Sequence, residues 1–410
     1  MRILFVHQNY PAQFRHLALH LARDPGNEAV ALTLKGADVH DGVKVVRCKL
    51  TRGVPRETHP WAKDFEAKVI RGEALARGAR GLRDSGFRPD VIYAHSGWGE
   101  ALFLKEVFPR SRLICYAEFY YRSTGLDAGF DNEFTAPLDE DGKCRTRIRN
   151  ANNLLALEAC DLAIAPTEWQ RSTYPEEFRH KIEVVHDGID TDAIRPAQGV
   201  QVRIGEAGVK LGQDDEVVTY VSRNLEPYRG FPTFMRALPE LQRLRPAAHV
   251  VIIGGNAISY GARRKDGRTY KQVMLDEVGG GLDMSRIYFV GHVAHDAFVR
   301  LLQLSSAHVY LTYPFVLSWS MLEAMAVKAP LIASSTPPVC EVVQTGVNGR
   351  LVDFFDAQGL ARAVADALEQ RADWVEVRRR ARQTVVDRYD LKRVCLPRQL
   401  ALLGGIMGSV

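Results

Sequence analysis

Two kinds of hydrophobic pattern alternate along this chain. Short apolar runs bounded by polar residues read as strands buried on both faces, and stretches with apolar positions at i, i+3, i+4 and i+7 read as amphipathic helices. Ile3-Leu4-Phe5-Val6 opens the series, and the next helix, predicted over 12–23, puts Phe14, Leu17, Ala18 and Leu21 on one face. Strands are predicted at 29–34 and 43–48, then a long helix over 61–83 with Trp61, Phe65, Val69 and Ala76 near one side. Its other side carries Lys63, Lys68, Arg71, Arg77, Arg80 and Arg83. That basic side fits a solvated helix face; the alternative is a dock for anionic lipid or an acidic acceptor. Strands at 90–94 and 112–116 precede an aperiodic stretch over 123–144, rich in Gly, Asp and Pro, of the kind that is usually functional or mobile. A helix over 147–159 and strands at 162–165 and 183–186 complete the first series.

The pattern loosens over 191–215 and restarts with strands at 217–222, 249–253, 287–290, 307–311 and 331–333, with helices between them and mostly helix after residue 360. Two successive βαβ series predict an α/β protein of two Rossmann-like, doubly wound domains facing each other across a cleft. The boundaries are a first domain over 1–190, a linker over 191–215, a second domain over 216–385, and a segment over 386–410 that packs back on the first.

A length of 410 residues is enough for two or three hydrophobic cores. The net charge of +5 suits anionic small molecules and falls far short of a nucleic-acid footprint, so no nucleic-acid partner is expected. The six cysteines form no CxxC pair and no metal-ligand spacing, which predicts reduced, mostly buried thiols and no metal site. The opening residues read as a strand and lack the apolar length of a signal peptide, and no apolar run approaches the roughly 18 residues of a membrane span. A cytoplasmic protein is expected. A dinucleotide-dependent oxidoreductase would carry G-x-G-x-x-G after the first strand; His7-Gln8-Asn9-Tyr10-Pro11-Ala12 stands there instead.

The candidate chemistry gathers where strands run into helices. In 310–334 a strand turns at Pro314 into a helix starting near Ser318, and a helix N-terminus at a strand's carboxyl end binds anions. Backbone N–H groups around Trp319, Ser320 and Met321 are the expected donors to a diphosphate. Glu323 lies one turn inside; Ser320-Met321-Leu322-Glu323 also fits a capping box. Arg223 and Arg229 follow one strand and precede a helix, where two cations can hold a diphosphate as it leaves; alone they would equally be surface arginines. His95, Ser96 and Trp98 follow a strand end and fit an acceptor pocket, with Trp98 stacked on a sugar, or a packed tryptophan and a satisfied histidine. Gln13, in the first strand–helix turn, offers a side-chain donor. Glu341 either reaches a ligand through its helix or caps it.

Five pieces in order, Asp187-Gly188-Ile189-Asp190, Ser222-Arg223 with Glu226-Pro227-Tyr228-Arg229-Gly230, Phe289-Val290-Gly291, Leu322-Glu323-Ala324-Met325-Ala326, and Glu341 with Val347-Asn348-Gly349, resemble glycosyltransferase family 4. The resemblance is specific over 185–355 and looser before it. It implies the GT-B architecture and transfer of a sugar from a nucleotide-sugar to an acceptor, with retention of configuration and generally without a bound catalytic metal. It makes Arg223 and Arg229 the phosphate cations, where the family usually has Arg then Lys. It makes Glu323 the ribose ligand and places the base near Gly291, His292 and Val293. The family's first motif glutamate falls at Phe315, which cannot accept hydroxyl hydrogen bonds. Either the donor sugar has fewer hydroxyls there or a backbone group replaces the contact. Glu118 stands where many relatives have a histidine; it can bond a sugar hydroxyl, stabilise an oxocarbenium-like transition state, or pair with Arg122.

What the resemblance implies overall is a retaining glycosyltransferase with no cofactor. Its substrates are a UDP-, GDP-, ADP- or dTDP-sugar and a saccharide or lipid-linked acceptor. Bacterial polysaccharide or glycoconjugate synthesis is the expected setting, with weak contact at the inner membrane face through the basic helix. A phosphorylase or sugar-nucleotide epimerase on the same plan, and a non-catalytic nucleotide-sugar binding subunit, are the alternatives.

Overall fold

The computed structural model describes residues 1–36, 41–205 and 208–408, and its chain divides into two compact units. The first unit comprises Met1–Gly129, Ala136–Gly188 and Lys392–Val410. Its sheet is all parallel, with strands β1 (Arg2–Val6), β2 (Glu28–Thr33), β3 (Val43–Arg47), β4 (Val91–His95), β5 (Arg112–Tyr116), β6 (Leu162–Ala165) and β7 (Ile182–Val184) in the order β3-β2-β1-β4-β5-β6-β7. Alternate residues of β1 enter separate cores on its two faces, Leu4 and Val6 on one and Ile3 and Phe5 on the other. This is why the strand reads as an unbroken apolar run.

The second unit comprises Phe130–Thr135 and Ile189–Leu391. A hairpin of β8 (Gln201–Ile204) and β9 (Val209–Gly212) precedes β10 (Val217–Asn224), β11 (His249–Gly255), β12 (Ile287–Gly291), β13 (Ala307–Tyr310), β14 (Leu331–Ser334) and β15 (Arg350–Val352). The last six form a parallel sheet in the order β12-β11-β10-β13-β14-β15.

Several expectations need correction. Residues 191–215 are not a loose linker: Val200, Ile204 and Leu211 of the hairpin region are buried in the second unit's core. Residues 206–207 of that stretch and 409–410 of the terminal segment lie outside the described residues. Phe130–Thr135 packs with the second unit: Phe130 lies 5.1 Å from the Tyr313 ring and 5.2 Å from Phe354, and Arg236 forks onto both oxygens of Glu133 at 2.7 Å. Aromatic burial and a bidentate ion pair are side-chain matters that backbone periodicity does not register. The helix expected to begin at Arg147 begins at Glu140, capped by Asp139 accepting from Gly142 N. In the long helix Lys63–Asp84, Lys68 is no part of an exposed basic face. It is buried, pairs with Asp64 at 2.8 Å and donates to Arg149 O at 2.7 Å, and burial draws its pKa down. Lys392–Val410 groups with the first unit, where Leu403 joins the core of Ile3 and Gln399 Nε2 donates to His186 O at 3.1 Å.

One glycine is required where Arg229 is presented. Gly230 has φ +67° between a one-turn 3-10 helix, Pro227–Arg229, and the helix Phe231–Leu244, and an added Cβ would lie 2.4 Å from Leu311 Cβ. Gly230→Ala is therefore expected to cost about 1–3 kcal/mol for the forced packing plus a smaller backbone term. A urea midpoint unchanged from the parent would show that Leu311 yields freely.

Candidate active site

In open parallel sheets ligands bind beyond the strand carboxyl ends, at the point where strand order reverses. In the first unit that point lies between β1 and β4, and the side chains that follow these strands meet there. The rings of His7 and His95 stand edge to face at 5.0 Å. Trp98 stacks against His95 at 6.5 Å. Glu118, one loop further along after β5, accepts from Gln13 Nε2 at 3.1 Å and faces His95 Nε2 at 3.6 Å. The sequence-derived Gln13, His95, Trp98 and Glu118 are thus one cluster. Arg122 does not pair with Glu118; it donates to Thr173 O at 3.1 Å and Ser172 O at 3.2 Å.

Three members were missed by sequence reasoning. They are His7, Glu100 and Asp187, each a polar residue shortly after an apolar strand, which is the one signal that could have found them. Glu100 is fully buried and accepts from Gln8 N at 3.2 Å and Trp98 N at 3.0 Å. Burial pushes its pKa up. Asp187 accepts from Tyr116 Oη at 3.1 Å.

The two imidazoles are driven apart. Burial, then the His95 charge, holds the His7 pKa well below the usual histidine value. Burial also opposes charge on His95, but Glu118, Glu100 and Asp187 together outweigh it and raise its pKa. Gly97 N donates to His95 Nδ1 at 3.0 Å, so the neutral ring carries its proton on Nε2, toward Glu118. A raised histidine pKa gives stability that is complete below the unfolded value and lost as pH rises through the folded value. Glu118→Gln is expected to lower the His95 pKa and trim the acid side of that stability. Imidazole NMR titration checks it; an unmoved His95 would show that Glu100 and Asp187 alone set its charge.

In the second unit the reversal lies between β10 and β13, and the predicted phosphate residues flank it. They are not equivalent. Arg223, at the end of β10, is exposed. Arg229 is buried, and its Nη1 donates to Tyr310 Oη at 3.2 Å, Thr312 Oγ1 at 2.7 Å and Val316 O at 3.0 Å. Its guanidinium also lies 5.3 Å from the Tyr260 ring. Burial opposes its charge, yet the tyrosines, Tyr310 first, leave its pKa raised. Tyr260 is itself placed by Glu226, a fully buried carboxylate that accepts from Ser259 N, Tyr260 N and Gly261 N at 3.1–3.2 Å.

The helix Trp319–Ala326 begins at Ser318, whose Oγ accepts from Ser320 N at 3.3 Å. The capping box is absent, which frees Glu323 for other partners. Glu323 is 8% exposed and its Oε1 lies 2.7 Å from His295 Nε2. Two expected N–H donors are already engaged, Ser320 N with Ser318 Oγ at 3.3 Å and Met321 N with Ser318 O at 3.3 Å, and Ser318 N donates to Tyr310 Oη at 2.9 Å. Phe315 packs edge to face on Tyr228 at 5.3 Å and Tyr260 at 4.9 Å. Gly291 has φ +67°. Exposed His292 lies so close to Gly255 that a Cβ there would be 2.4 Å from its Nε2, and Val293 packs against the core. Glu341 closes the four-residue helix Pro337–Cys340 as its C-cap.

Two parallel-sheet units, each with a polar cluster at its strand-order reversal, give the chain the GT-B architecture. Residues 25–194 match the family model described as glycosyl transferase family 4 group, and residues 206–385 match glycosyl transferases group 1. The chain belongs to glycosyltransferase family 4. It is 26% identical to a glycogen synthase of Mycobacterium tuberculosis, over 96% of this chain and 92% of that one. It is also 28% identical to a D-inositol 3-phosphate glycosyltransferase of Mycobacterium avium, over 47% and 42%. Among solved structures, sucrose-phosphate synthase from Thermosynechococcus elongatus superposes with TM-score 0.74 at 17% identity, covering all of both chains. HepE of Anabaena, solved with UDP and glucose, superposes with TM-score 0.68 at 17% identity, covering 99% of each. Among the described residues no helix is long and apolar enough to cross a membrane.

Proposed function

We propose that this glycosyltransferase is a retaining enzyme that takes its sugar from a nucleoside diphosphate sugar and delivers it to a saccharide or lipid-linked acceptor. The observation that carries this reading is the cation pair at the β10–β13 reversal, one arginine buried and fixed by three acceptors, the other exposed. A diphosphate leaving as an anion needs such charge, and charge-assisted hydrogen bonds supply about 1.5–3 kcal/mol each. Glu323 is the ligand for the ribose hydroxyls, sharing its carboxylate with His295. In the reaction the bond from the anomeric carbon to the phosphate oxygen breaks and the bond to the acceptor oxygen forms on the same face. The acceptor proton passes to the departing phosphate.

Phe315, walled by Tyr228 and Tyr260, favours a donor sugar with fewer hydroxyls on that side. Glu118, held by Gln13 and His95, is a carboxylate for a sugar hydroxyl or for an oxocarbenium-like transition state. The similarity to a glycogen synthase and to HepE, solved with UDP-glucose, supports a uridine diphosphate sugar and a carbohydrate acceptor as the first substrates to try. On the helix Lys63–Asp84, exposed Arg80 with half-buried Arg71, Arg77 and Arg83 suits weak contact with an anionic acceptor or membrane surface.

The test is thermal-shift screening with UDP, GDP, ADP and dTDP and their hexose and deoxyhexose derivatives. One base is expected to stand out, because a ligand at 100 times its Kd stabilises by about 2.7 kcal/mol. No shift with any nucleotide sinks the reading.

A further inference from the structure

At the opposite end of the second sheet, where strands begin, there is a cavity of about 240 Å³ lined by Gln213, Gln303, Ser306, Arg371, Trp374 and Arg378, among others. Ser306 precedes β13 and Gln213 precedes β10, so this cavity is at the far ends of the strands from Arg223, Arg229 and the motif helix. Its two arginines stand out by what they lack. Arg371 donates to Gln213 O at 3.4 Å and Asp215 O at 3.0 Å, and Arg378 Nε donates to Lys328 O at 2.5 Å. Neither guanidinium has a carboxylate within ion-pair distance among the described residues. Of the acids close to them, Glu376 pairs with Arg379 and Arg380 and Asp215 Oδ2 accepts from Gly212 N, while Asp373, two residues after Arg371, is exposed and makes no side-chain cap bond. Burial, and then repulsion from Arg371, lowers the Arg378 pKa.

Two like charges beside one cavity with no counter-ion call for an anion. The helices His295–Leu304 and Ala357–Glu369 bring carboxyl ends toward the cavity, and the helix from Trp374 brings an amino end. These contribute about half a charge each, so two full guanidinium charges dominate. Gln213 Nε2 donates to Ala197 O and Gln303 O, Gln303 Nε2 to Arg195 O and Ser306 Oγ to Asp215 O, so it is their acceptor oxygens that are left for ligand hydroxyls, and Trp374 gives a flat wall. We infer that this cavity is a second binding site, for a phosphate monoester of a small polyhydroxylated molecule.

The site has a mechanical link to the motif helix. Arg378 and Arg382, both on the helix Trp374–Tyr389, donate to Lys328 O at 2.5 Å and Ala326 O at 2.6 Å, the free carbonyls at the end of the helix that carries Glu323. An anion that recruits Arg378 changes that cap and so biases the helix. This coupling rests on the nucleotide reading given above for Glu323; the binding site itself does not.

The experiment is calorimetric titration of the full chain with inorganic phosphate and with three-carbon and six-carbon polyol phosphates, repeated with saturating nucleoside diphosphate. Expected are binding of the monoesters more tightly than of phosphate, no competition by the nucleotide, and at least about tenfold weakening in Arg371→Gln and Arg378→Gln. Because Arg378 also caps a helix, Arg371→Gln, whose bonds are to a surface turn, is the decisive variant. Unchanged affinity in Arg371→Gln, competition by the nucleotide, or no binding of any probe overturns the site. By reciprocity the monoester must change the nucleotide Kd by the factor the nucleotide changes its own. A nucleotide Kd unmoved by saturating monoester overturns the coupling, and absence of nucleotide binding with the monoester still bound strikes the function reading and the coupling with it, and leaves the second site standing.

Discussion

Arg229→Ala is expected to lower kcat/KM by about 10²–10³-fold, the scale seen when a fixed donor to developing negative charge is removed. The reason is geometric. Three acceptors on Nη1, at 2.7–3.2 Å, hold the guanidinium before any ligand arrives, so no ordering cost falls on the reaction step. The same bonds mean that the alanine variant also leaves Tyr310 Oη, Thr312 Oγ1 and Val316 O short of a partner, at about 1–3 kcal/mol of stability. Arg229→Lys separates the two effects. It keeps a charge without the planar fork and should recover about tenfold of the lost rate while regaining little of the lost bonding. A folded alanine variant with parental kcat/KM would reduce Arg229 to a packing residue.

Glu323→Ala is expected to raise the donor KM by about 10–100-fold, with kcat changed much less, since ribose contacts are made equally in the ground and transition states. Stability should hardly move. The Glu323 side chain is 11% exposed, but its partner His295 is 60% exposed and screened by solvent, so the pair contributes about 0–1 kcal/mol. Steady-state kinetics with the donor varied, beside a thermal melt, decides this. A fall in kcat at constant KM would mean that Glu323 acts on the reacting bond. A large loss of stability with unchanged KM would make it a structural anchor for the helix Trp319–Ala326.

Much of the fold was legible in the residues because burial on both faces leaves an unbroken apolar run and helices leave a 3.6-residue period. The runs at Ile3–Val6 and Val217–Ser222 and the periodic positions Phe14, Leu17, Ala18 and Leu21 needed nothing else. Glu118, His95, Trp98 and Gln13 could each be suspected from its place after a strand, since a chain leaving a sheet's carboxyl edge has polar groups free for ligands.

Local pattern could not say who meets whom. It could not tell that Glu118 would face His95 rather than Arg122, or that Glu323 would be released from capping because Ser318, not Ser320, closes the helix. It placed Lys68 on a solvated face because a charged residue at helical spacing looks the same whether its ammonium meets water or Arg149 O. It gave Arg223 and Arg229 one status, although the first is exposed and the second is buried among Tyr310, Thr312 and Tyr260.

The motif stretch 310–334 shows the division most plainly. Strand, turn and helix follow from apolar runs, Pro314 and a serine cap, which are interactions between near neighbours in the chain. That Tyr310 serves both Arg229 and Ser318, and that Phe315 closes an aromatic wall with Tyr228 and Tyr260, depends on the reversal of strand order between β10 and β13. That reversal brings residues some 80 positions apart into hydrogen-bonding distance. Order along the chain set the elements; side-chain charge and shape across distant positions, realised only on folding, set the site.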